Sequence, residues 1–298
     1  MKTIEPSELV INSDGSIFHL HLHPEQLADN VLLVGDPDRV LLLKRMLSNV
    51  EFVSQSREFV SATGCYRDKR VTLLSTGIGT DNIDIVLNEL DALANIDFQT
   101  RTVKEQHRSL RILRLGTSGA IQPDIETGSL VFSKYSAGID GLLNWYAGRD
   151  SVCDTAMEQA FVEHMNWPRT LARPYFVLNS QEIADDFGDA VQGITLSAPG
   201  FYGPQGRELR LKIIDPDYLE KLKLFRYNGL RITNFEMEGS AIAGLSRLLG
   251  HQGATVCMII AQRSQKGMNV DYKTLMFRQA EVAIERLAME ESAIEKLR

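Results

Sequence analysis

The residues of this 298-residue chain best suited to chemistry lie in a few short stretches. Leu113–Gln122 reads Leu-Arg-Leu-Gly-Thr-Ser-Gly-Ala-Ile-Gln, so an apolar run delivers the backbone into Gly116-Thr117-Ser118-Gly119. Two glycines around two hydroxyl residues predict a sharp turn at a strand exit. Its successive amides would form a concavity for an anion. Arg114 stands beside it, with a planar fork that matches phosphate. A second anion site is expected at Gly35-Asp36-Pro37-Asp38-Arg39, where Asp36 caps a helix opened by Pro37 and the helix N-terminus favours negative charge. Ser75–Thr80 is another glycine-rich strand exit. The turn-rich stretch 197–207 carries Phe201-Tyr202, Gln205 and Arg207, and a long loop inside a compact domain is usually functional or disordered. Glu236-Met237-Glu238-Gly239 places two carboxylates at a helix start. Each stretch also has an ordinary reading: a strand-to-loop turn, a capped helix, a solvated arginine, a carboxylate favoured by the helix dipole.

Phe18-His19-Leu20-His21-Leu22-His23 alternates apolar and imidazole residues as a short strand does. Three histidines on one face raise the question of a metal. No carboxylate or cysteine is spaced to complete a site nearby, so a polar strand face is expected and no metal.

The elements that must hold these residues follow from periodicity. Val31–Val34, Val71–Ser75, Ser129–Phe132, Val191–Leu196, Arg231–Phe235 and Ala254–Ala261 read as strands, with a charged hairpin turn at 67–70. Helical stripes occur at Val40–Leu47, Ile83–Ala94, Asp154–His164 and Ala241–Leu249, with a last helix from about Tyr272 to Leu297. Strands and helices alternate, and polar, glycine-rich residues gather at strand exits. That predicts an α/β architecture with one site at the carboxyl ends of its strands. No strand leads into GxGxxG, which disfavours a Rossmann dinucleotide site. A single domain over 1–298 is expected, with 1–16 as an N-terminal arm.

Composition bounds the function. Hydrophobic residues make up 44%, ample for a large core, and the net charge is -7 with no Lys/Arg-rich run. Nucleic acid and membrane surfaces are therefore not expected partners. Cys65, Cys153 and Cys257 are widely spaced without a CxxC, which reads as reduced thiols in a cytoplasmic protein. No secretory leader is visible at the N-terminus, and no apolar run is long enough to span a bilayer.

Taken together and in order, Phe18-His19-Leu20, Gly35–Arg39, Arg57-Glu58-Phe59, Arg114–Gln122, Phe201–Arg207 and Glu236-Met237-Glu238 resemble the nucleoside phosphorylase-I family, most closely its uridine phosphorylase branch. The resemblance runs from about Phe18 to Arg263. It implies a three-layer α/β/α domain with a mixed, partly barrel-like central sheet, and a site at a two-fold subunit interface. It implies that Gly35, Arg39, Arg114 and Thr117 hold phosphate, joined by Arg57 from the neighbouring subunit. It implies that His19, also from the neighbour, meets the ribose 5′-hydroxyl, that Glu238 bonds ribose hydroxyls and that Met237 packs on the sugar. Phe201 would flank the base, Gln205 and Arg207 would read the uracil edge, and Arg263 would support that end.

The implied activity is phosphate-dependent cleavage of uridine to uracil and ribose 1-phosphate. Inorganic phosphate is then a co-substrate and no cofactor is needed. Arginines aim the phosphate at C1′, and Gln205 and Arg207 stabilise charge growing on the base. A homodimer, or a hexamer built as a trimer of dimers, is expected. Alternatives are a phosphorylase preferring purine nucleosides or thymidine, a hydrolytic nucleosidase, and a non-catalytic nucleoside-binding protein. Thr80-Asp81-Asn82 stands where relatives more usually carry Gly-Pro-Ser, a departure that bears on the monovalent-cation site some of them have near Glu58.

Overall fold

In the computed structural model, residues 2–263, 267–268 and 272–289 are described. The organising strand is β1 (Asn30–Val34), whose apolar run is continuous because it is covered on both faces. Val31 and Leu33 point into one hydrophobic cluster, and Leu32 and Val34 into another. Helix α1 (Pro37–Leu43) follows at once, with the Asp36 carboxylate accepting the Asp38 N–H at 2.9 Å. Strands β2 (Ser48–Ser56), β3 (Phe59–Tyr66) and β4 (Lys69–Ser75) form an antiparallel meander. The charged hairpin turn narrows to Arg67-Asp68, both at positive φ as a two-residue hairpin loop requires. β4 then lies parallel to β1 and leads to α2 (Thr80–Asn95).

A small separate pair, β5 (Ile96–Asp97) and β6 (Thr102–Val103), precedes β7 (Arg111–Ala120), which lies parallel to β1 on its other side. The chain continues through β8 (Leu130–Gly138), α3 (Thr155–Met165), β9 (Tyr175–Leu178), α4 (Gln181–Ala184) and β10 (Val191–Ser197). Next come α5 (Tyr218–Leu224), β11 (Arg226–Tyr227), β12 (Leu230–Glu236) and α6 (Gly239–Leu249). β13 (Gln252–Gln262), β14 (Gly267–Met268) and α7 (Lys273–Ala288) complete the described fold.

The main sheet runs β11-β12-β10-β8-β13-β7-β1-β4-β3-β2, and an added antiparallel pairing joins β12 back to β7. Strands β7, β13, β8, β10 and β12 thus close into a ring, while β1 to β4 extend from it as an open wing. The sheet is mixed and partly barrel-like, as expected. Helices α2 and α6 cover one face, packing Leu87, Leu90 and Ile242 with Val31, Leu33 and Ile112. Helices α1, α4 and α7 cover the other, packing Val40, Ile183 and Ile284 with Leu32, Leu113 and Val256. Helices α3 and α5 close the ring's outer side through Phe161, Leu222, Ile194 and Ile232.

Two expectations change, and part of a third lies outside the described residues. Gly116-Thr117-Ser118-Gly119 is not a turn: it lies inside β7, paired in register with Cys257–Gly116 and Met258–Thr117 of β13. Neither glycine has positive φ, so these glycines serve side-chain space, not chain reversal. Phe18–His23 is not a strand either. Residues 18–20 turn, His21 has φ 49°, and the Glu89 carboxylate on α2 accepts the N–H groups of His19 and Leu20 at 3.1 and 2.9 Å. A capped turn therefore replaces the imidazole-lined face. The last helix ends at Ala288, and the stretch expected to carry it over 290–297 lies outside the described residues.

Candidate active site

A cleft of about 1200 Å³ opens at the carboxyl ends of β1, β10 and β12, the place where α/β sheets hold ligands. It is lined by Gly35, Arg39, Arg114, Thr117, Phe201, Gln205, Arg207, Met237, Glu238 and Arg263. The fold therefore brings together ten of the expected site residues from five separate stretches. His19 and Arg57 stand apart from it. His19 Nδ1 lies 2.6 Å from Glu89 Oε1, and Arg57 is exposed on the β2–β3 turn at φ 54°.

Arg114 is the buried centre of the cleft's floor, 4% exposed. Strand alternation puts its side chain on the same face as Gly116, and the guanidinium lies across that glycine. A Cβ built on Gly116 would stand 2.1 Å from Arg114 Nη1. Gly119 does the same for Arg263, whose Cγ and Cδ would lie 3.3 Å from its Cβ. The two glycines thus make room for two arginines.

Arg114 Nη2 donates to Glu238 Oε2, and Nη1 lies 3.2 Å from Glu236 Oε2. Burial works against its charge, yet the pull of Glu238 and Glu236 more than offsets this and leaves its pKa raised. Burial also pushes Glu238 up. Arg114 opposes that rise, and Glu236 adds to it. Glu238 Oε1 accepts the Gly79 N–H at 2.7 Å, which ties it to the start of α2. Nε and Nη1 of Arg114 are buried without a hydrogen-bond partner among the described residues, so donor capacity remains beside the cleft. Cys257 packs against the same group, and burial pushes its thiol up to about 12. Cys65, Cys153 and Cys257 are all unbridged.

Glu236 has a structural task that its sequence position shows only in retrospect. Its Oε2 accepts the N–H groups of Glu238 and Gly239, each at 2.8 Å, and so satisfies donors that a helix N-terminus leaves open. Its Oε1 accepts the Ser197 hydroxyl, and Ser197 Oγ accepts the Ser240 N–H at 2.8 Å. The residue-type signal was a carboxylate three positions before a helix start; its partner Ser197 had none.

The other end of the cleft is built on the loop after β10. Arg207 Nη1 donates to Gln205 Oε1 and to the Phe201 carbonyl, both at 2.6 Å. Its guanidinium lies 3.7 Å from the centre of the Phe201 ring. Arg263 Nη2 donates to the Gln205 carbonyl at 3.0 Å. Gln205 itself is 3% exposed, an amide buried between two arginines. Burial, then the neighbouring charge of Arg263, pushes Arg207 down to about 10, and burial lowers Arg263 too. Arg207 stays charged at neutral pH.

Away from the cleft, Asp91, His107 and His251 come together. Leu110 N–H donates to His251 Nδ1 at 3.2 Å. The ring proton of neutral His251 therefore sits on Nε2, toward Asp91 Oδ1 at 3.2 Å. That tautomer makes Nε2 a donor rather than a metal ligand. Among the described residues, no helix is long and apolar enough to cross a membrane.

A family model described as the phosphorylase superfamily matches residues 29–291. A uridine phosphorylase of Thermococcus kodakarensis is 29% identical over 252 residues, covering 84% of this chain and 79% of its own. A uridine phosphorylase of Haemophilus influenzae is 28% identical over 259 residues, covering 84% and 88%. A solved nucleoside phosphorylase of Trypanosoma brucei, described as showing uridine phosphorylase activity, superposes with a TM-score of 0.84. It is 29% identical, and the match covers 94% of this chain and 99% of that one.

Proposed function

The chain belongs to the phosphorylase superfamily, and we propose that it is an enzyme that cleaves uridine with inorganic phosphate, giving uracil and ribose 1-phosphate. The observation that carries this reading is one cleft with a buried arginine–carboxylate group at one end and an arginine-held glutamine at the other. Gly35, Arg39, Arg114 and Thr117 bind phosphate, with the Arg114 nitrogens that lack partners as donors. Glu238 and Met237 hold the ribose between the phosphate and the base.

Phosphate attacks C1′ as the C–N bond breaks, and the bonding electrons pass to the uracil ring. That charge grows beside Arg207 and Gln205, whose positions are set before the reaction, so its stabilisation needs little reorganisation. Uracil presents two carbonyl oxygens and an N–H, and a carboxamide with a neighbouring guanidinium matches them in donors and acceptors. No Asp or Glu lies between Ser197 and Arg207 to hold a purine ring nitrogen, which favours the pyrimidine.

His19 and Arg57 stand outside this chain's own cleft, and we assign them to the site of a neighbouring subunit, so the active unit is at least a homodimer. The reaction as written uses phosphate as co-substrate and no cofactor, and the protein works in the cytoplasm. The test is release of free base from uridine, thymidine, inosine and adenosine with and without phosphate. Uridine is expected to be cleaved fastest and only with phosphate. Equal rates in phosphate-free buffer would make the protein a nucleosidase, and faster cleavage of inosine would overturn the base assignment.

A further inference from the structure

Arg114 faces two carboxylates whose surroundings differ. Glu236 is used on every side: Oε1 takes the Ser197 hydroxyl, while Oε2 takes two backbone N–H groups of α6 and lies 3.2 Å from Arg114. Moving it would orphan these donors and the helix start they belong to, at a cost of about 1–3 kcal/mol for each buried group left unpaired. Both carboxylates line the cleft, but Glu238 is tied less: Oε1 takes the Gly79 N–H and Oε2 takes Arg114. Its Oε2 occupies an Arg114 nitrogen that an incoming anion could use.

We propose that the two carboxylates have separate tasks. Glu236, clamped by Ser197, is the permanent counter-ion and a positioning residue for Arg114. Glu238 is an exchangeable counter-ion that leaves Arg114 for the ribose hydroxyls when a nucleoside binds, and phosphate then takes the nitrogen it vacates. The inference rests on the reading of the cleft as a phosphate and nucleoside site.

The consequence is reciprocal. If the nucleoside draws Glu238 off Arg114, phosphate binds more tightly with nucleoside present, and the nucleoside binds more tightly with phosphate present by the same factor. Uracil alone, having no ribose, produces no such coupling. Two carboxylates sharing one buried guanidinium also explain why one of them must be fixed. A guanidinium freed of both would swing, and a displacement of about 1 Å at a reacting group is enough to cost about a hundred-fold in rate.

The experiment measures phosphate binding by calorimetry to the purified full chain, alone, with uracil, and with pseudouridine. Pseudouridine carries its base on a carbon–carbon bond and cannot be cleaved by phosphate. Phosphate is expected to bind about ten-fold more tightly with pseudouridine and unchanged with uracil. In Glu238→Ala, phosphate alone is expected to bind as tightly as it does to the wild type with pseudouridine, and the coupling disappears. Ser197→Ala is expected to raise the phosphate KM about ten-fold while the pseudouridine dissociation constant stays within two-fold.

Equal phosphate affinity with and without pseudouridine in the wild type would overturn the exchange. A Ser197→Ala protein with a lower melting temperature but an unchanged phosphate KM would reduce the clamp to a structural contact. Should Ser197→Ala not fold, Glu236→Gln reads the same split. There the amide donates to Ser197 Oγ, the remaining oxygen keeps the α6 contacts, and only the negative charge facing Arg114 is lost. Its phosphate KM is expected to rise as in Ser197→Ala, and an unchanged one overturns Glu236 as the permanent counter-ion of Arg114. A wild type that cleaves uridine only with phosphate yet shows no coupling refutes this inference and leaves the proposed function standing.

Discussion

Arg114 and Arg207 sit in the same cleft and are pushed in opposite directions. Arg114 is wholly buried between two carboxylates, which hold its pKa up despite burial. Arg207 is half-buried, faces another arginine, and is pushed down to about 10. One end of the cleft is charge-compensated by the protein itself. The other holds positive charge with no carboxylate partner among the described residues, over a buried amide and an aromatic ring. The difference matches the chemistry proposed for each end. Phosphate and ribose bring their charge and hydroxyls with them, so the protein must hold a ready-made ion-pair network for them. The base acquires charge only as the bond breaks, so a cation awaiting a partner gains most at the transition state.

The comparison is broken most severely at Arg114. Arg114→Ala leaves Glu236 and Glu238 buried without their cation, and breaking a buried pair in this way costs about 3–5 kcal/mol of stability. Urea denaturation should show that loss, and kcat/KM for uridine should fall by about a thousand-fold or more. At the opposite end, Arg207→Ala should cost on the order of 2–4 kcal/mol of transition-state stabilisation, expressed in kcat. Its urea midpoint should not move, because the residue sits on a loop. A matching loss of stability in Arg207→Ala would erase the distinction drawn between the two ends.

Gly116→Ala sharpens the contrast without deleting a charge. The new methyl would stand 2.1 Å from Arg114 Nη1 and displace the guanidinium. Activity should fall by about a hundred-fold with the circular dichroism spectrum retained, and Gly203→Ala, where a Cβ meets nothing within 4 Å, should have little effect.

The smallest effect is a pH dependence. Burial raises the Glu238 pKa in the folded protein above the usual 4.5, so between these values the folded state holds more protons than the unfolded one. Stability from this group is therefore fullest below the unfolded pKa and is lost as pH rises through the folded value. Glu238→Gln should flatten that decline in melting temperature with pH. No change in slope would mean that Glu238 keeps its charge at no cost.

Much of the fold was legible in the chain itself. β1, β4, β10, β12 and β13 coincide closely with apolar runs, and the Asp36 cap is where residue type placed it. β2 was missed because its residues are mostly exposed and polar at an edge, where pairing, not burial, makes the strand. β9 is four residues long and holds its place by pairing with β8, too short to carry a period. Phe18–His23 alternated convincingly, but two residues of its backbone bond to Glu89, which lies 70 and 69 positions away.

The sequence alone determined which residue types could bind an anion, a sugar and a planar base, and roughly which elements would carry them. Only the tertiary structure decided what those residues do to one another. Gly116 and Gly119 looked like a turn and proved to be space for arginines, since a glycine's missing side chain permits either use and its neighbours choose. Arg114 looked like a free phosphate ligand and proved to be held by Glu238, 124 positions away. Glu236 gained its role from Ser197, 39 positions away on the adjacent strand. Spacing along the chain encodes periodicity within one element. Contacts between elements depend on strand order and register, and these are settled by the burial of the whole core at once.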